Sequence, residues 1–276
     1  MNAFRLGLSA TLLSLGTAYA FDITRCAELV SQAQTAVLQA DMDCSADPGA
    51  CGSDFSLPCG SPQCSGGGCF RAAVLLGLSA TLNMNGHVLI GPSDGDGVSC
   101  FEGRCQVAGP GEISGAVLGV SASSDVIIKD VDIHNTNTGI SVAGRLIATN
   151  VTVNNNALGV EADHGIRATN LTANNNEYIG LLAQLVRGTG VTANNNLQGV
   201  ATFGSIVVAG LTATGNLDVG VTGRRTRLRD SVVTGNNGGG RGIDLVTSLR
   251  PLLINSTCGL SENVATKQPW GVCSGD

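Results

Sequence analysis

The chain has 276 residues, a formal net charge of −6 and a 43% share of hydrophobic residues, with 39 Gly and 10 Cys. Lysine occurs only at Lys129 and Lys267, so the basic surface that would neutralise phosphates is missing and nucleic acid is not expected as a partner. Aromatic residues make up 3%, which leaves few platforms for stacking on sugar rings.

Residues 1–20 combine Arg5, an apolar run from Leu6 to Leu15 and the small-residue exit Ala18-Tyr19-Ala20. They read as a secretory signal, which places the mature chain outside the cell or in a periplasm. Residues 21–75 hold Cys26, Cys44, Cys51, Cys59, Cys64 and Cys69 and are expected to form a Cys-rich cap, with a short helix around Ala27 to Gln32. In an oxidising compartment ten cysteines allow up to five disulfides, and their spacings lack the paired two-residue gaps of a zinc site. Cys100 and Cys105 are close enough to staple one loop, and Cys258 with Cys273 to hold the tail.

The run from Leu76 to Leu82 repeats the seven residues from Leu6 to Leu12. It is too short to span a membrane and is read as a strand, with Asn85-Gly86 as the turn after it. Asp94 and Asp96 lie among glycines, but they lack the third carboxylate or bidentate Glu of a calcium loop, so neither a metal nor another cofactor is expected.

From residue 119 to residue 261 the sequence repeats about every twenty residues. A Gly followed by an apolar residue begins each repeat, at Gly119, Gly139, Gly159, Gly180, Gly199, Gly220 and Gly242. A second marker falls at Asp130, Asn150, Asn170, Gly190, Gly210 and Asp230. Only residue types that tolerate the left-handed backbone region occupy it, so one tight turn is stacked on itself. Between markers lie three segments of period two: Ile140 and Val142 follow the Gly, Leu146 and Ala148 precede the marker, and Val151 and Val153 follow it. One turn cannot bury its own apolar side, so successive turns stack and share a core. The architecture expected is all-β, a single-stranded parallel coil with three strands per rung over residues 76–261, closed by a C-terminal cap at 262–276. Seven or eight turns would make a rod of roughly 35 to 40 Å. The runs at 154–156, 174–176 and 194–196, all Asn, are expected to stack as amide ladders beyond the third strand.

The repeat, the segment "ATLNMNGHVLIG" at 80–91 and "QADMDC" ending at Cys44 resemble the right-handed parallel β-helix repeat proteins of the pectate-lyase-like superfamily. The resemblance covers most of the mature chain and implies the right-handed sense of the coil. It also implies that chemistry, where present, sits on the outer face of the strand after the Gly.

That face reads Ser141, Glu161, Leu182, Ala201, Thr222 and Asp244. Glu161 and Asp244 lie four rungs apart, about 19 Å, too far for the carboxylate pair of a glycoside hydrolase. The richest rung holds Glu161, Asp163 and His164, the candidate catalytic residues. Glu161 and Asp163 alternate along one strand about 6.5 to 7 Å apart, a distance that suits an acid and a base acting through a water. Asp163-His164-Gly165 reads equally as a polar turn. His87 and His134 are assigned structural places, the second in line with Asn154. A stripe of Arg145, Arg167, Arg187, Arg225, Arg227 and Arg229 lies on the outward side of the second strand. Guanidinium groups pair bidentately with carboxylate and sulfate, so the stripe is a candidate site for an acidic polysaccharide. The sequence thus points first to a secreted, non-catalytic binding or structural module for an acidic extracellular polysaccharide or the cell surface. The alternative is a uronate lyase, C5-epimerase or glycoside hydrolase.

Overall fold

The computed structural model describes residues 20–46, 50–51, 57–58, 69–236 and 242–276. The expected signal segment and the pairings of Cys51, Cys59, Cys64 and Cys69 lie outside what it describes. Every regular element among the described residues is a strand.

Three parallel ladders run the length of the coil. Ladder one stacks the strands after the repeat Gly, so that Val120, Ile140, Val160, Leu181, Val200, Val221 and Leu245 lie one above another. Ladder two precedes the marker, with Val126 over Leu146, Ile166, Val186 and Ile206. Ladder three follows it, with Ile133 over Val153, and Val151 over Leu171, Val191 and Leu211. All of these inward residues are buried. Small residues such as Ala148, Ala168, Ala173 and Ala193 take the remaining inward places and let the three faces approach.

The marker residues do what their types predict. Asp130, Asn150, Asn170, Gly190, Gly210 and Asp230 have φ between 50° and 67°. Asn150 donates to Asp130 (2.8 Å) and Asn170 to Asn150 (3.0 Å), so the turn column carries its own amide ladder. The three Asn of each run divide the work. Asn154 and Asn174 accept from the backbone N–H of Asn174 and Asn194, each at 2.8 Å, while Asn155, Asn175 and Asn195 take positive φ. The third Asn points inward: Asn156, Asn176 and Asn196 are buried, and Asn216 and Asn236 continue the column. Asn156, Asn176, Asn196 and Asn216 each donate to the next amide and to a ladder-three carbonyl, as Asn176 does to Asn196 (3.1 Å) and to the Val153 carbonyl (3.1 Å).

The parallel pairing starts earlier than residue 76. Ala20–Ile23, Glu28–Val30, Thr35–Leu38 and Met42–Asp43 already belong to the ladders, so the first turns precede the repeat that the sequence displays. The helix expected at Ala27 to Gln32 is not formed: Ala27 takes φ 58° and Glu28–Val30 is a strand of ladder one. Burial of Val30 in the shared core outweighs local helical preference. The strand expected at Leu76 to Leu82 is broken by a turn, with Ala72–Leu76 on ladder one and Thr81–Asn83 on ladder two. Asn85 and Gly86 form the expected turn with positive φ. Between Cys44 and Arg71 the backbone at 50–51 pairs antiparallel with 57–58 and 69–70, a small sheet apart from the coil.

Disulfides join Cys26 to Cys44, Cys100 to Cys105 and Cys258 to Cys273, consistent with an extracellular protein. No helix of the described residues is long and apolar enough to cross a membrane.

Candidate functional site

A strand in a shared-core coil has only its outward alternate positions to spend on chemistry. On ladder one those positions read Ser99, Ser121, Ser141, Glu161, Leu182, Ala201, Thr222 and Val246. Asp244, expected on this face, is not there. It is 2% exposed, and its Oδ1 accepts from the backbone and side-chain nitrogens of Asn236 at 2.9 and 2.8 Å. Its Oδ2 accepts from the N–H groups of Gly259 and Leu260. Asp244 therefore ends the inward Asn column, because a carboxylate can only accept and the last amide has a donor to spare.

Glu161, Asp163 and His164 do not converge. Glu161 and Asp163 line an open depression of about 540 Å³ together with Asp96, Ser99, Ser121 and Ser141. His164 turns to the next face, into a groove of about 520 Å³. No hydrogen bond joins the three side chains among the described residues. The corner of the coil falls between Asp163 and His164, so neighbours in sequence are divided between two surfaces.

The depression gains a residue that the sequence did not mark for it. Asp96 accepts a short hydrogen bond from the Ser121 hydroxyl, which itself lies 2.9 Å from the Ser99 hydroxyl. Burial pushes the Asp96 carboxyl up from its ordinary range, against the lowering effect of these serines. Asp94 pairs instead with Arg71, so the two carboxylates of the glycine loop part company. The sequence signal for this pairing is weak, because Asp96 and Ser121 are 25 positions apart in the irregular early turns.

The groove is lined by Arg145, Arg167 and Arg187 together with His164, Thr169 and Thr189. Arg145 is tied down. Its side chain meets Asp125 at 3.0 Å, and its backbone N–H donates to the same carboxylate, the largest cause holding Asp125 below its ordinary range. Arg167 and Arg187 stand directly above one another in the ladder, about 4.8 Å apart at the backbone, and pair with no carboxylate of the described residues. The stripe is not continuous. The next rung presents Ser205, Val207 and Ala209, and only beyond it do Arg225, Arg227 and Arg229 follow. Arg229 is paired with Asp230 at 3.4 Å, whereas Arg225 and Arg227 are unpaired among the described residues.

A third outward cluster lies on ladder three, where Glu112 and Asp132 occupy adjacent rungs beside a depression of about 460 Å³. His134, in register with Asn154 as expected, approaches Glu112 at 3.6 Å. Burial raises the Asp132 carboxyl, and the Glu112 charge adds to it against the lowering effect of His134. His87 contacts Asp41 at 3.2 Å on the first turns. Among the described residues no group of three or more His, Cys, Asp or Glu side chains is placed to hold a metal ion.

With three stacked parallel ladders, one core and the outward columns in place, the architecture is settled. The chain is a parallel β-helix. No protein-family model matches it, and no curated protein sequence does. Among solved structures the β-helix is similar to the crystal structure of pectate lyase Pel9A, with 13% identity and a TM-score of 0.41, covering 91% of this chain and 73% of that one.

Proposed function

We propose that this β-helix is an extracellular binding module for an acidic polysaccharide, held on the Arg face of ladder two. The observation that carries the reading is the pair Arg167 and Arg187, exposed on adjacent rungs of a groove and lacking carboxylate partners among the described residues. Guanidinium groups left without partners on a β face are ready to take carboxylates or sulfates without first breaking an internal ion pair. A stacked ladder also holds them at fixed intervals, which suits a polymer carrying one anion per sugar.

Binding to polygalacturonate and alginate by calorimetry tests it. The double variant Arg167→Ala/Arg187→Ala should weaken binding at least about tenfold, and added salt should weaken the wild type, while far-UV circular dichroism stays unchanged. Failure of the wild type to bind any polyanion would overturn the proposal and leave only a structural role at the cell surface.

A second reading, glycoside or uronate chemistry, is favoured by one feature: the Asp96 carboxyl, raised by burial, shares a serine-lined depression with Glu161. A raised carboxyl is a candidate proton donor and the half-buried Glu161 beside it a candidate base. This moves the candidate acid away from Asp163 and His164. New reducing or unsaturated ends formed from polyuronates, and lost in Asp96→Asn and Glu161→Gln, would replace the binding-only reading with this one.

A further inference from the structure

Phe203 is the most exposed large apolar side chain of the described residues, at 73%, in a chain with few aromatic residues. Its position is built, not incidental. Ala183 pairs with Thr202 and Leu185 with Ser205, so Phe203 and Gly204 stand opposite Gln184 alone. The following rung is also one residue shorter at this corner, with Ala201 on Thr222 and Ser205 on Arg225. The rung therefore bulges relative to both neighbours, and bulges re-aim side chains. Gly204 makes the bulge close: a Cβ there would sit 2.5 Å from the Gln184 carbonyl oxygen. Arg224 donates its backbone N–H to the Gly204 carbonyl at 3.0 Å, which sets it on the rung directly beyond Phe203.

This same rung is the one that interrupts the Arg stripe. Its outward ladder-two positions are Ser205, Val207 and Ala209, with Val207 37% exposed, while Arg187 lies on the rung before and Arg224, Arg225 and Arg227 on the rung after. Along the axis the Val207 column runs Arg187, Val207, Arg227 over about 10 Å. Phe203 stands four residues before Val207 on the same middle rung, between Gln184 on the rung before and Arg224 on the rung after. A simple polyanion has no use for the middle element. A pyranose polymer does, because each ring offers an apolar C–H face as well as its anionic group.

We infer that Phe203 is an aromatic subsite at the edge of the same face, stacking one sugar ring of a polymer whose other anionic groups meet the guanidinium groups of the rungs before and after. The inference rests on the acidic-polysaccharide reading above and narrows it to a sugar-backbone polymer. The test compares oligogalacturonate with polyglutamate of matched charge, on wild type, Phe203→Ala and Phe203→Trp. Phe203→Ala should weaken oligogalacturonate about five- to tenfold and leave polyglutamate unchanged, and Phe203→Trp should retain the wild-type preference. The side chain is exposed, so neither variant threatens the fold. Equal weakening of both ligands, or no weakening of either, would overturn the subsite while leaving the Arg face intact. Wild-type protein that binds neither ligand would overturn the Arg-face reading and this inference with it.

Discussion

Replacing Asn196 by Ala should be among the most damaging single changes available in the central rungs, although it removes a polar residue from a hydrophobic coil. The Asn196 side chain is 1% exposed and serves both its neighbours. Its oxygen accepts from the Asn176 backbone N–H at 2.8 Å and from the Asn176 amide at 3.1 Å. Its nitrogen donates to the Ala173 carbonyl at 3.0 Å and to the Asn216 oxygen at 3.2 Å. Some of this survives truncation, since the Asn176 amide keeps the Val153 carbonyl and the Asn216 oxygen keeps the Asn196 backbone N–H. The Asn176 N–H and the Ala173 carbonyl are left buried without partners. At about 1–3 kcal/mol for each orphaned group, the loss is about 2–6 kcal/mol before any cavity cost. Asn175→Gly is the control. Asn175 is exposed with φ 55°, so Gly relieves the left-handed strain and gives up only a 3.3 Å surface hydrogen bond, for a change within about 1 kcal/mol. Urea denaturation of both variants at constant slope checks the pair. An Asn196→Ala unfolding free energy within about 0.5 kcal/mol of wild type would refute the reasoning that the inward amides hold the rungs in register.

Asp96 gives a pH test. Its folded-state pKa is raised, so its contribution favours the folded protein below the unfolded value and is lost as pH rises through the folded one. Asp96→Asn should therefore gain stability relative to wild type at pH 7 and show no such gain at pH 3, read from denaturation midpoints at both pH values. The Cys258–Cys273 bridge closes a loop with a separation of 15, for which chain entropy gives about 3 kcal/mol. The Cys258→Ser/Cys273→Ser variant should lose about that much and expose residues 258–276 to proteolysis before the rest of the coil; uniform cleavage would show that the tail is not a separate cap.

Much of the interior was legible because a stacked fold repeats its constraints. Ile140, Val142, Leu146, Ala148, Val151 and Val153 are buried as their alternation requires, and the left-handed marker is confirmed at every one of its six positions. Legibility fails where the repeat is imperfect. The early strands such as Glu28–Val30 were hidden because their spacing is irregular and their core partners lie more than forty residues away, at Val74 to Leu76. Asp244 was misplaced because the segment before it is longer than in other turns, which shifts the outward position to Val246. The surface suffered most. Asp163 and His164 are adjacent in sequence, yet a corner divides them, and no periodicity reports where a corner falls. Asp96 and Phe203 were missed for a related reason: the place of one is set by a contact with Ser121, and that of the other by a bulge defined by its neighbours.

Because each outward position recurs at a fixed height, the distance between any two groups on this rod is quantised in whole turns. A duplication of one repeat between Arg187 and Arg225 would find matching layers above and below it, with an Asn for the inward column and a Gly or Asn for the turn. The coil would lengthen by one step, and the gap between the two guanidinium groups would grow by the same step. Evolution could thus retune such a surface to a polymer of different repeat by copying one turn, with the core left as it was.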